Sequence, residues 1–432
     1  MYSFSINTMD LVRTLSTALD LVVGGVSMHQ MRTAAVCRYI SDEMGSSPTS
    51  QQVLLNAALL HDIGAAPDLD ERRRLASAAQ TELFGAKIYR HAEAGWELLR
   101  ESLCFGEESG IIRHHHDRWE GGNPSGLSGR DIPLASRIIS LSDRVEVQID
   151  KTRPVLGQRE DICARIAEQK GKDFDPDVVE AFLACAAREC FWLDITHAEL
   201  WDSAFAPSHW ESTRFTAPQM LNVASLFATL IDRKSAFTAT HSRSVSNVAV
   251  LLASRMSFCQ NELYLMKIAG LLHDLGKLAI HNSILEKPGP LTPDEMQAMR
   301  QHTYYTYRLL EQIDAMQQVA QWAAFHHETL DGKGYPFQLG ADMLPLGSRI
   351  MAVADIFVAL AENRPYRNRM EATSVKRIMT SMADRGKIDP RVLDILFSLY
   401  DEADAIVLAS EGGCNHDDEY WQDFVCAHGK EA

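Results

Sequence analysis

A row of histidines and aspartates occurs twice along the 432-residue chain at an almost constant interval. His29 and His241 are 212 residues apart, and so are His61 and His273. The neighbouring segments match as well, since "LLHDIG" in the first half corresponds to "LLHDLG" in the second. Self-similarity at a fixed interval indicates that one structural unit is used more than once. The sequence therefore predicts a tandem duplication.

The two copies meet in a stretch without hydrophobic periodicity, "WDSAFAPSHWESTRFTAP" at residues 201–218. A chain of this length exceeds one ordinary hydrophobic core, which also favours two domains. We predict a first domain over residues 1–205. The second domain is predicted over residues 206–432, with a short acidic tail at its end.

The local patterns are helical. His241, Val245, Val248 and Leu252 follow one another at steps of four and three residues, which line one face of a helix. Thr292 precedes Pro and two acids and is predicted to cap a helix, and the glycine of the "LLHDLG" segment to stop one. Strand-like alternation is scarce. The predicted fold class is all-α, with two tandem helical bundles of roughly five to seven helices each.

The formal net charge of −16 disfavours binding to DNA or to an anionic membrane surface. Eight cysteines without CxxC pairs suit a reducing cytoplasm, where we expect the protein to be located. No segment has the uninterrupted apolar length of a membrane span. Near the end, Cys414, His416, Cys426 and His428 could bind zinc, but the spacing is not a standard one and a solvated acidic tail is the preferred interpretation.

Seven polar residues of the second copy lie in or beside apolar helical segments and form the candidate metal ligands: His241, His273, Asp274, His302, His326, His327 and Asp355. Each alone has a structural explanation, such as a hydrogen-bonded core histidine. The set recurs in the first copy as His29, His61, Asp62, His91, His115, His116 and Asp143, a candidate second metal site. A duplicated copy without functional constraint need not keep all seven residues, so their recurrence weakens the purely structural explanation.

Five imidazoles and two carboxylates are more than one tetrahedral ion needs, and they fit two ions that share a carboxylate. Nitrogen and oxygen ligands without thiolate suit iron or manganese, with nickel or zinc also open. Two adjacent ions favour hydrolysis of a phosphate ester. Lys277, four residues after His273, could neutralise a phosphate oxygen or protonate a leaving group, although a solvated surface lysine has the same spacing.

"HDLGK" followed by "HHETLDGKGYP" resembles the HD-GYP family, a branch of the HD phosphohydrolases. The resemblance covers about residues 218–400 and includes "LEKPGPLTPDEM" and "NRPYR". It implies an all-α fold, a di- or trinuclear metal centre, and hydrolysis of bacterial cyclic dinucleotides, chiefly cyclic di-GMP, in second-messenger signalling. Members with a third metal carry a Glu where this chain has Phe237, so a binuclear centre is expected.

The resemblance also implies roles for individual residues. Asp274 would bridge the two ions and, with Lys277, take part in catalysis. His241, His273 and Asp355 would complete the shell of one ion, and His302, His326 and His327 that of the other. Tyr335, Arg364 and Arg367 would bind substrate. Where members usually have an Asp, this chain has Val358, which leaves the preferred base open.

The first copy resembles the family more weakly. Ala65 replaces the lysine, and "EGGNP" replaces "DGKGYP", with Asn123 at the place of the tyrosine. The arginine that matches Arg364 is Arg153, displaced by one residue. Because a missing phosphate-binding cation is costly in rate, we expect a structural or regulatory domain.

Three alternatives stay open at this point. The substrate could be the mixed cyclic GMP-AMP in place of cyclic di-GMP. A mononuclear HD nucleotidase is disfavoured by the three additional histidines. A scaffold that binds the dinucleotide or a signalling protein without turnover is disfavoured by the complete second ligand set. A homo-oligomer or a signalling partner is compatible with the sequence.

Overall fold

The computed structural model describes residues 3–5, 8–20, 28–65, 88–197, 214–234, 240–313, 315–363 and 367–411. It divides the chain into two compact units. The first unit is Thr8–Ser212, and the second is Thr213–Ala432 together with Met1–Asn7. The predicted boundary between residues 205 and 206 lies outside the described residues. So do Phe237, Arg364 and the four candidate zinc ligands of the tail.

Nine α-helices are described in the first unit: α1 (Thr8–Asp20), α2 (His29–Glu43), α3 (Pro48–Leu60), α4 (Ile88–Leu99), α5 (Gly106–Arg113), α6 (Leu134–Val147), α7 (Arg159–Glu168), α8 (Pro176–Ala186) and α9 (Glu189–Thr196). The predicted all-α class is confirmed. The expected number of helices was too low, because the connections contribute short helices of their own.

The second unit repeats the arrangement with ten described helices: α10 (Ala217–Lys234), α11 (His241–Arg255), α12 (Gln260–Leu272), α13 (Asn282–Leu285), α14 (Pro293–Leu310), α15 (Gln317–Ala324), α16 (Leu346–Ala361), α17 (Ala372–Asp384), α18 (Pro390–Ser398) and α19 (Tyr400–Glu411). Two short strands, β1 (Ser3–Ser5) and β2 (Arg214–Thr216), pair antiparallel within this unit. No other strand occurs in the described part of the chain.

The helix that begins at His241 shows how sequence pattern becomes packing. Val245, Val248 and Leu252 are fully buried, as the steps of three and four residues predicted. This helix, α11, packs against α12 and α16, and in the first unit α2 packs against α3 and α6. The duplicated segments therefore take equivalent places in their own units. In each, the three helices hold the first histidine, the His-Asp pair and the last aspartate close together.

Thr292 caps α14 as predicted. Its side chain accepts a hydrogen bond from the backbone N–H of Glu295, and the Glu295 carboxylate accepts one from the backbone N–H of Thr292. This reciprocal pair satisfies donors that the first helical turn leaves free. The capped helix carries His302 towards the α12 end.

The glycine of the His-Asp-x-Gly segment has a different role from the predicted helix stop. A Cβ on Gly276 would lie 1.9 Å from the carbonyl oxygen of His302, and one on Gly64 would lie 2.0 Å from that of His91. Helix α12 already ends at Leu272, before the glycine. Glycine is required here because another backbone approaches closely. In both units this contact brings the third histidine to the His-Asp pair.

No helix in the described ranges has both the length and the apolar character needed to cross a membrane.

Candidate metal centres

The second unit gathers all seven predicted ligands at one end of its central helices. His241 is the first residue of α11, His273 follows α12 directly, and His302 lies within α14. His326 and His327 form a 3₁₀ turn after α15, and Asp355 lies in α16. The ligand atoms fall into two groups, each within 4.8 Å: His241 with His273 and Asp355, and His302 with His326 and His327.

Asp274 lies between the two groups. Its Oδ2 is 3.1 Å from Nε2 of His273, whereas its Oδ1 is 3.4 Å from Nε2 of His302 and 4.0 Å from Nε2 of His326. The two oxygens of one carboxylate thus face different histidine groups. This is the arrangement that a bridging ligand requires.

Backbone carbonyls fix the orientation of three of these imidazoles. Nδ1–H of His273 donates to Gly270 O at 2.7 Å, that of His302 to Met299 O at 2.6 Å, and that of His326 to Ala323 O at 2.6 Å. A hydrogen bond at one ring nitrogen selects the tautomer that leaves the other as a ligand. Nε2 is therefore directed at the centre in each case.

His241 is held by a carboxylate instead. Its Nδ1 lies 3.1 Å from Glu362 Oε2 and its Nε2 lies 3.2 Å from Asp355 Oδ1. Burial would lower the pKa of His241, but the negative charge of Glu362 and the hydrogen bond to Asp355 raise it to about 10. With this pKa the imidazole of His241 carries a proton on both nitrogens at neutral pH, and a metal ion that binds Nε2 must displace the proton there.

The second histidine group is neutral. Burial lowers the pKa of His302 to about 3, and burial together with the neighbouring His327 holds the pKa of His326 well below its usual value. Burial also lowers the pKa of His327. Neutral imidazole is the form that ligates metals, so these three side chains are ready to bind without losing a proton.

Two buried atoms at the centre indicate that a cation fits here. Within the described residues, neither Nε2 of His273 nor Oδ1 of Asp274 has a hydrogen-bond partner. Both residues are at most 2% exposed. Buried polar groups are normally satisfied, so these two atoms indicate the place of a cation. The donor set of five imidazole nitrogens and two carboxylates suits divalent transition metals.

The first unit repeats this geometry. Oδ1 of Asp62 lies 3.6 Å from Nε2 of His61 and 3.4 Å from Nε2 of His91, and its Oδ2 lies 3.6 Å from Nε2 of His29. The ligand groups match those of the second unit, namely His29 with His61 and Asp143, and His91 with His115 and His116. The structure thus brings together all seven residues predicted for a second metal site.

The acid that holds the first histidine differs between the units. In the first unit, Glu146 is 2% exposed and its Oε2 lies 2.6 Å from Nδ1 of His29. Glu146 comes three residues after Asp143, and the corresponding residue of the second copy is Val358. In the second copy the first histidine is held by Glu362, seven residues after Asp355. Sequence reasoning missed both glutamates. Their positions one and two helical turns after the metal aspartate are the signal that would have indicated them.

Lys277 lies at the edge of the second centre. Its Nζ donates to Oδ2 of Asp274 at 2.5 Å, and its side chain is 22% exposed. Although burial raises the pKa of Asp274, the charges of His273 and Lys277 hold it well below the usual value. Lys277 is therefore not a solvated surface lysine. In the first unit the corresponding Ala65 is buried and offers no charge.

The loop after the paired histidines is built around glycines and one buried carboxylate. Gly332 has a φ of +71°, and a Cβ on Gly334 would lie 2.4 Å from Glu328 Cα. The Glu328 carboxylate accepts hydrogen bonds from three successive backbone N–H groups, at residues 337–339, with lengths of 2.7 to 3.1 Å. Glycine is required at residues 332 and 334, because any other residue would be strained at the first and would clash with backbone at the second.

This loop sets Tyr335 against the second histidine group. The ring centroid of Tyr335 is 4.9 Å from that of His327, and Cζ of the exposed Arg300 lies 5.0 Å from the Tyr335 ring centroid. Tyr335 is thus placed at the rim of the centre. Arg300, which the sequence reasoning did not single out, completes the rim.

Asn123 in the first unit has a different role from Tyr335. Its Oδ1 accepts from the backbone N–H of Arg118 at 2.8 Å, and its Nδ2 donates to the carbonyls of Arg118 and Leu127. It is 8% exposed. The side chain closes its own loop and presents no aromatic ring or hydroxyl to the centre.

Of the predicted substrate-binding arginines, the structure describes Arg367. Its guanidinium donates to the carbonyl of Ala359, on the helix that carries Asp355. In the first copy, Arg153, which corresponds to Arg364, is exposed. Arg364 lies outside the described residues.

Both halves of the chain match known protein-family models. The HD domain family matches residues 26–148 in the first unit and, in a second form, residues 225–392 in the second unit. The chain is a tandem HD-domain protein. Both matched segments contain the ligand sets described above.

Relatives of this tandem HD-domain protein indicate to which branch of the HD family it belongs. It is 29% identical to 3′3′-cGAMP-specific phosphodiesterase 1 of Vibrio cholerae over 88% of this chain and 89% of the relative. It is 31% identical to 3′3′-cGAMP-specific phosphodiesterase 3 of the same organism, over 69% and 63%. A cyclic di-GMP phosphodiesterase response regulator, RpfG of Xanthomonas campestris, is 40% identical over 40% of this chain and 46% of its own length. The predicted HD-GYP membership is confirmed.

One solved structure has the same overall fold. A V. cholerae phosphodiesterase described as specific for cyclic GMP-AMP superposes with a TM-score of 0.63 at 23% identity, covering 95% of this chain and 98% of the other. The likeness at this identity concerns the fold alone. It supports the predicted tandem arrangement of all-α domains.

Proposed function

We propose that the protein is a metal-dependent phosphodiesterase that hydrolyses a bacterial cyclic dinucleotide, and that its second unit carries out the reaction. The observation that carries this proposal is the position of Asp274. Its two oxygens face two separate histidine groups, and Lys277 donates a hydrogen bond to one of these oxygens, Oδ2. The relatives confirm the predicted class of enzyme, a hydrolase of phosphodiester bonds.

His241, His273 and Asp355 would hold one divalent ion and His302, His326 and His327 the other, with Asp274 shared. Iron or manganese suits this donor set best, with nickel or zinc open. When bound, such a pair would activate water as the nucleophile and would supply positive charge for the phosphate oxygens. The protein's part is to hold the ligands in one tautomer and orientation, as the carbonyl partners of the histidines do.

Lys277 is proposed to act on the phosphate. Its ammonium donates to Asp274, which places it next to the carboxylate that both histidine groups face. From this position it would neutralise a non-bridging phosphate oxygen or protonate the leaving alkoxide. Because the side chain is part-exposed at the rim, it is reachable from the substrate side. The same lysine keeps the bridging carboxylate ionised.

Replacing Lys277 by Ala should therefore slow turnover by roughly 10²-fold or more while both ions of the second unit stay bound, because the lysine is not itself a ligand. The measurements are kcat and metal content on the same preparation. Lys287→Ala is the matched control, since Lys287 pairs with Glu295 away from the histidine groups. A kcat close to that of the unchanged protein would remove Lys277 from the mechanism.

Substrate binding is assigned to Tyr335, Arg364 and Arg367. The position of Tyr335 beside His327 favours contact with the part of the nucleotide that lies next to the scissile phosphate. An arginine suits a phosphate, because the planar guanidinium offers paired donors that match phosphate oxygens. The roles of the two arginines follow from the family resemblance, and that of Tyr335 follows from the resemblance and the loop geometry.

Cyclic di-GMP and 3′,3′-cyclic GMP-AMP are the two substrate candidates. Four cyclic di-GMP phosphodiesterases, one of them named only as probable, match about half of this chain or less, at up to 42% identity. The relative that spans nearly the whole chain, with both units, is cyclic GMP-AMP specific. Because this match covers 88% of the chain, cyclic GMP-AMP is the second candidate substrate.

The test is anaerobic incubation of iron- or manganese-loaded protein with cyclic di-GMP, cyclic GMP-AMP and cyclic di-AMP, with linear dinucleotide and mononucleotide products separated by chromatography. We expect one guanine-containing substrate to be consumed fastest. Absence of hydrolysis with iron, manganese, nickel and zinc alike would overturn the proposal and favour a binding scaffold. One ion per unit would favour a mononuclear nucleotidase instead.

The first unit is proposed to be non-catalytic towards the cyclic dinucleotide. Ala65 supplies no cation and Asn123 is engaged in its own loop. A location in the cytoplasm agrees with the cysteine usage. A homo-oligomer or a signalling-protein partner stays a prediction, which light scattering of the purified protein would test for the first case.

A further inference from the structure

An arginine lies at the rim of the second centre, outside the metal ligands themselves. Arg300 is on α14, two residues before His302, so the two side chains leave the helix on different sides. Cζ of Arg300 is 5.0 Å from the ring centroid of Tyr335, and that centroid is 4.9 Å from the centroid of His327. Tyr335 thus connects the guanidinium of Arg300 to the second histidine group.

The donors of Arg300 are accessible to a ligand. The residue is exposed, and within the described ranges of the chain its guanidinium takes part in no ion pair. The N–H groups of a guanidinium point outward in its own plane, and contact with an aromatic ring does not use them. An exposed arginine that lies over a ring beside the candidate site can therefore bind a further group.

Two exposed apolar side chains flank Arg300 on the same face of α14. Met296 lies one turn before it and Tyr304 one turn after it, and they are 40% and 41% exposed. The ring centroid of Tyr304 is 6.2 Å from that of Phe337, which comes two residues after Tyr335. An apolar strip with one cation in its middle therefore adjoins the second centre. Such a surface suits a flat aromatic ligand, which can stack on it.

The first copy has a neutral pair at the same two positions. Tyr89 corresponds to Arg300 and Asn123 to Tyr335. The hydroxyl of Tyr89 donates to Oδ1 of Asn123 at 3.4 Å, so the two positions are in contact in both units. Because a tyrosine–asparagine contact joins the helix to the loop without a charge, the cation of the second unit is not needed for that purpose. This difference points to a ligand that the second unit alone is built to bind.

The position of Arg300 limits the part of a nucleotide that it can reach. The scissile phosphate would lie at the ions, beside Lys277, which donates to Asp274. Arg300 lies against Tyr335, one side chain further from the ions than His327. A base attached next to the scissile phosphate would lie at this distance.

The chemistry of a guanidinium distinguishes the two purines. Guanine presents two acceptors, O6 and N7, on one edge, and these match the paired donors of an arginine. Adenine has an amino group at the place of O6, where two donors would face each other. An arginine that meets this edge of the base therefore favours guanine over adenine.

We infer that Arg300 is a specificity-determining residue of the second unit, which binds the O6 and N7 edge of the guanine next to the scissile phosphate while Tyr335 orients its guanidinium. This inference rests on the proposed function of the second unit as a cyclic-dinucleotide phosphodiesterase. It adds a requirement for one guanine, which cyclic di-GMP and cyclic GMP-AMP both supply and cyclic di-AMP does not.

The test compares the binding of GMP and AMP to manganese-loaded full-length protein by calorimetry. The unchanged protein should bind GMP roughly tenfold or more tightly than AMP, because one bidentate pair discriminates between bases by about that factor. Arg300→Leu keeps an apolar cover on Tyr335 and should lose this preference, while AMP affinity and metal content stay the same. Arg300→Lys should lose most of the preference, since an ammonium lacks the paired donors.

Arg255→Leu is the matched control. Arg255 is an exposed arginine of the same unit, at the last position of α11, about 21 Å along that helix from His241. Its replacement should leave the preference for GMP unchanged. Circular dichroism and metal content of all variants are measured on the same preparations.

Three results would overturn the inference. The first is an unchanged protein without a preference for GMP, and the second is an Arg300→Leu or Arg300→Lys variant that keeps the full preference. The third is an equal loss of GMP and AMP binding in Arg300→Leu, which would assign Arg300 to a phosphate.

Turnover of cyclic dinucleotides tests the proposed function separately. No hydrolysis by a protein that still prefers GMP through Arg300 would refute the phosphodiesterase and leave the guanine contact in place. Where hydrolysis occurs, Arg300→Leu should lower kcat/KM for the guanine-containing substrate by about tenfold, mainly through a higher KM, because a contact to the bound base is lost. An unchanged kcat/KM would count against the inference.

Discussion

Replacing Asp274 by Asn is expected to abolish hydrolysis, while the same change at Asp62 leaves most of it. Asp274 faces both histidine groups of the second unit, so loss of its charge weakens both metal sites together. Asp62 also faces both histidine groups of the first unit, with Oδ2 3.6 Å from Nε2 of His29 and Oδ1 3.4 Å from Nε2 of His91. The two variants therefore remove equivalent carboxylate charges from the two copies.

The expected asymmetry comes from the groups around the metals. The second unit has Lys277 on its bridging carboxylate and Tyr335 at its rim. The first unit has Ala65 and a loop-closing Asn123. Metal ions without a positioned substrate lack the orientation that provides much of an enzyme's rate. Asp62→Asn should change kcat by less than about threefold, through stability alone.

The measurements are kcat, metal content per chain and circular dichroism for both single variants. Asp274→Asn should lose the ions of the second unit and keep its helical spectrum. Two ions still bound in that unit would contradict the bridging assignment. Equal residual activity in the two variants would show that the first unit is an enzyme in its own right.

The ligand sets could be predicted from the sequence because duplication supplies an internal comparison. The spacing of the seven polar residues is kept while most of the residues between them differ, and the structure brings both sets together. The capping of α14 was also predictable, since Thr292 and Glu295 act within one helical turn. These features depend on local chemistry or on a repeated interval.

The supporting residues could not be found in the same way. Glu146 and Glu362 both hold the first histidine, but they lie at different distances from the metal aspartate, so the repeat interval does not connect them. Their spacing from the metal aspartate marks both glutamates as candidates, but only the placed helices show which histidine each one holds, because that histidine lies more than a hundred residues away.

Gly276 is another residue whose role could not be predicted from the sequence, and its position in the structure leads to a prediction. Its sequence context suggests a helix stop, whereas in the structure its missing Cβ makes room for the carbonyl oxygen of His302, 1.9 Å from where a Cβ would lie. The backbone N–H of Gly276 also donates to Oγ1 of Thr306 at 2.9 Å on the same helix. The contact therefore sets the distance between Asp274 and His302.

Gly276→Ala should push α14 away from the His-Asp pair, because the clashing atom is backbone and cannot rotate aside. Overpacking of this kind costs about 1–3 kcal/mol or more, which corresponds to a fall in Tm of roughly 3–10 °C for a unit of this size. A displacement of about 1 Å at His302 should reduce kcat by roughly 10²-fold.

Two glycine variants separate the local effect from a general one. Gly289→Ala introduces a Cβ with no atom within 4 Å and should change neither Tm nor kcat appreciably. Gly64→Ala creates the same clash in the first unit, 2.0 Å from the carbonyl of His91, and should lower stability and metal content there while most of the turnover remains. If Gly276→Ala kept full activity and the full metal content of the second unit, the close approach of α14 would not be what assembles the centre. If Gly64→Ala abolished turnover as completely as Gly276→Ala, the division of labour between the units would be wrong, since equal losses from equivalent clashes mean equal dependence on both centres.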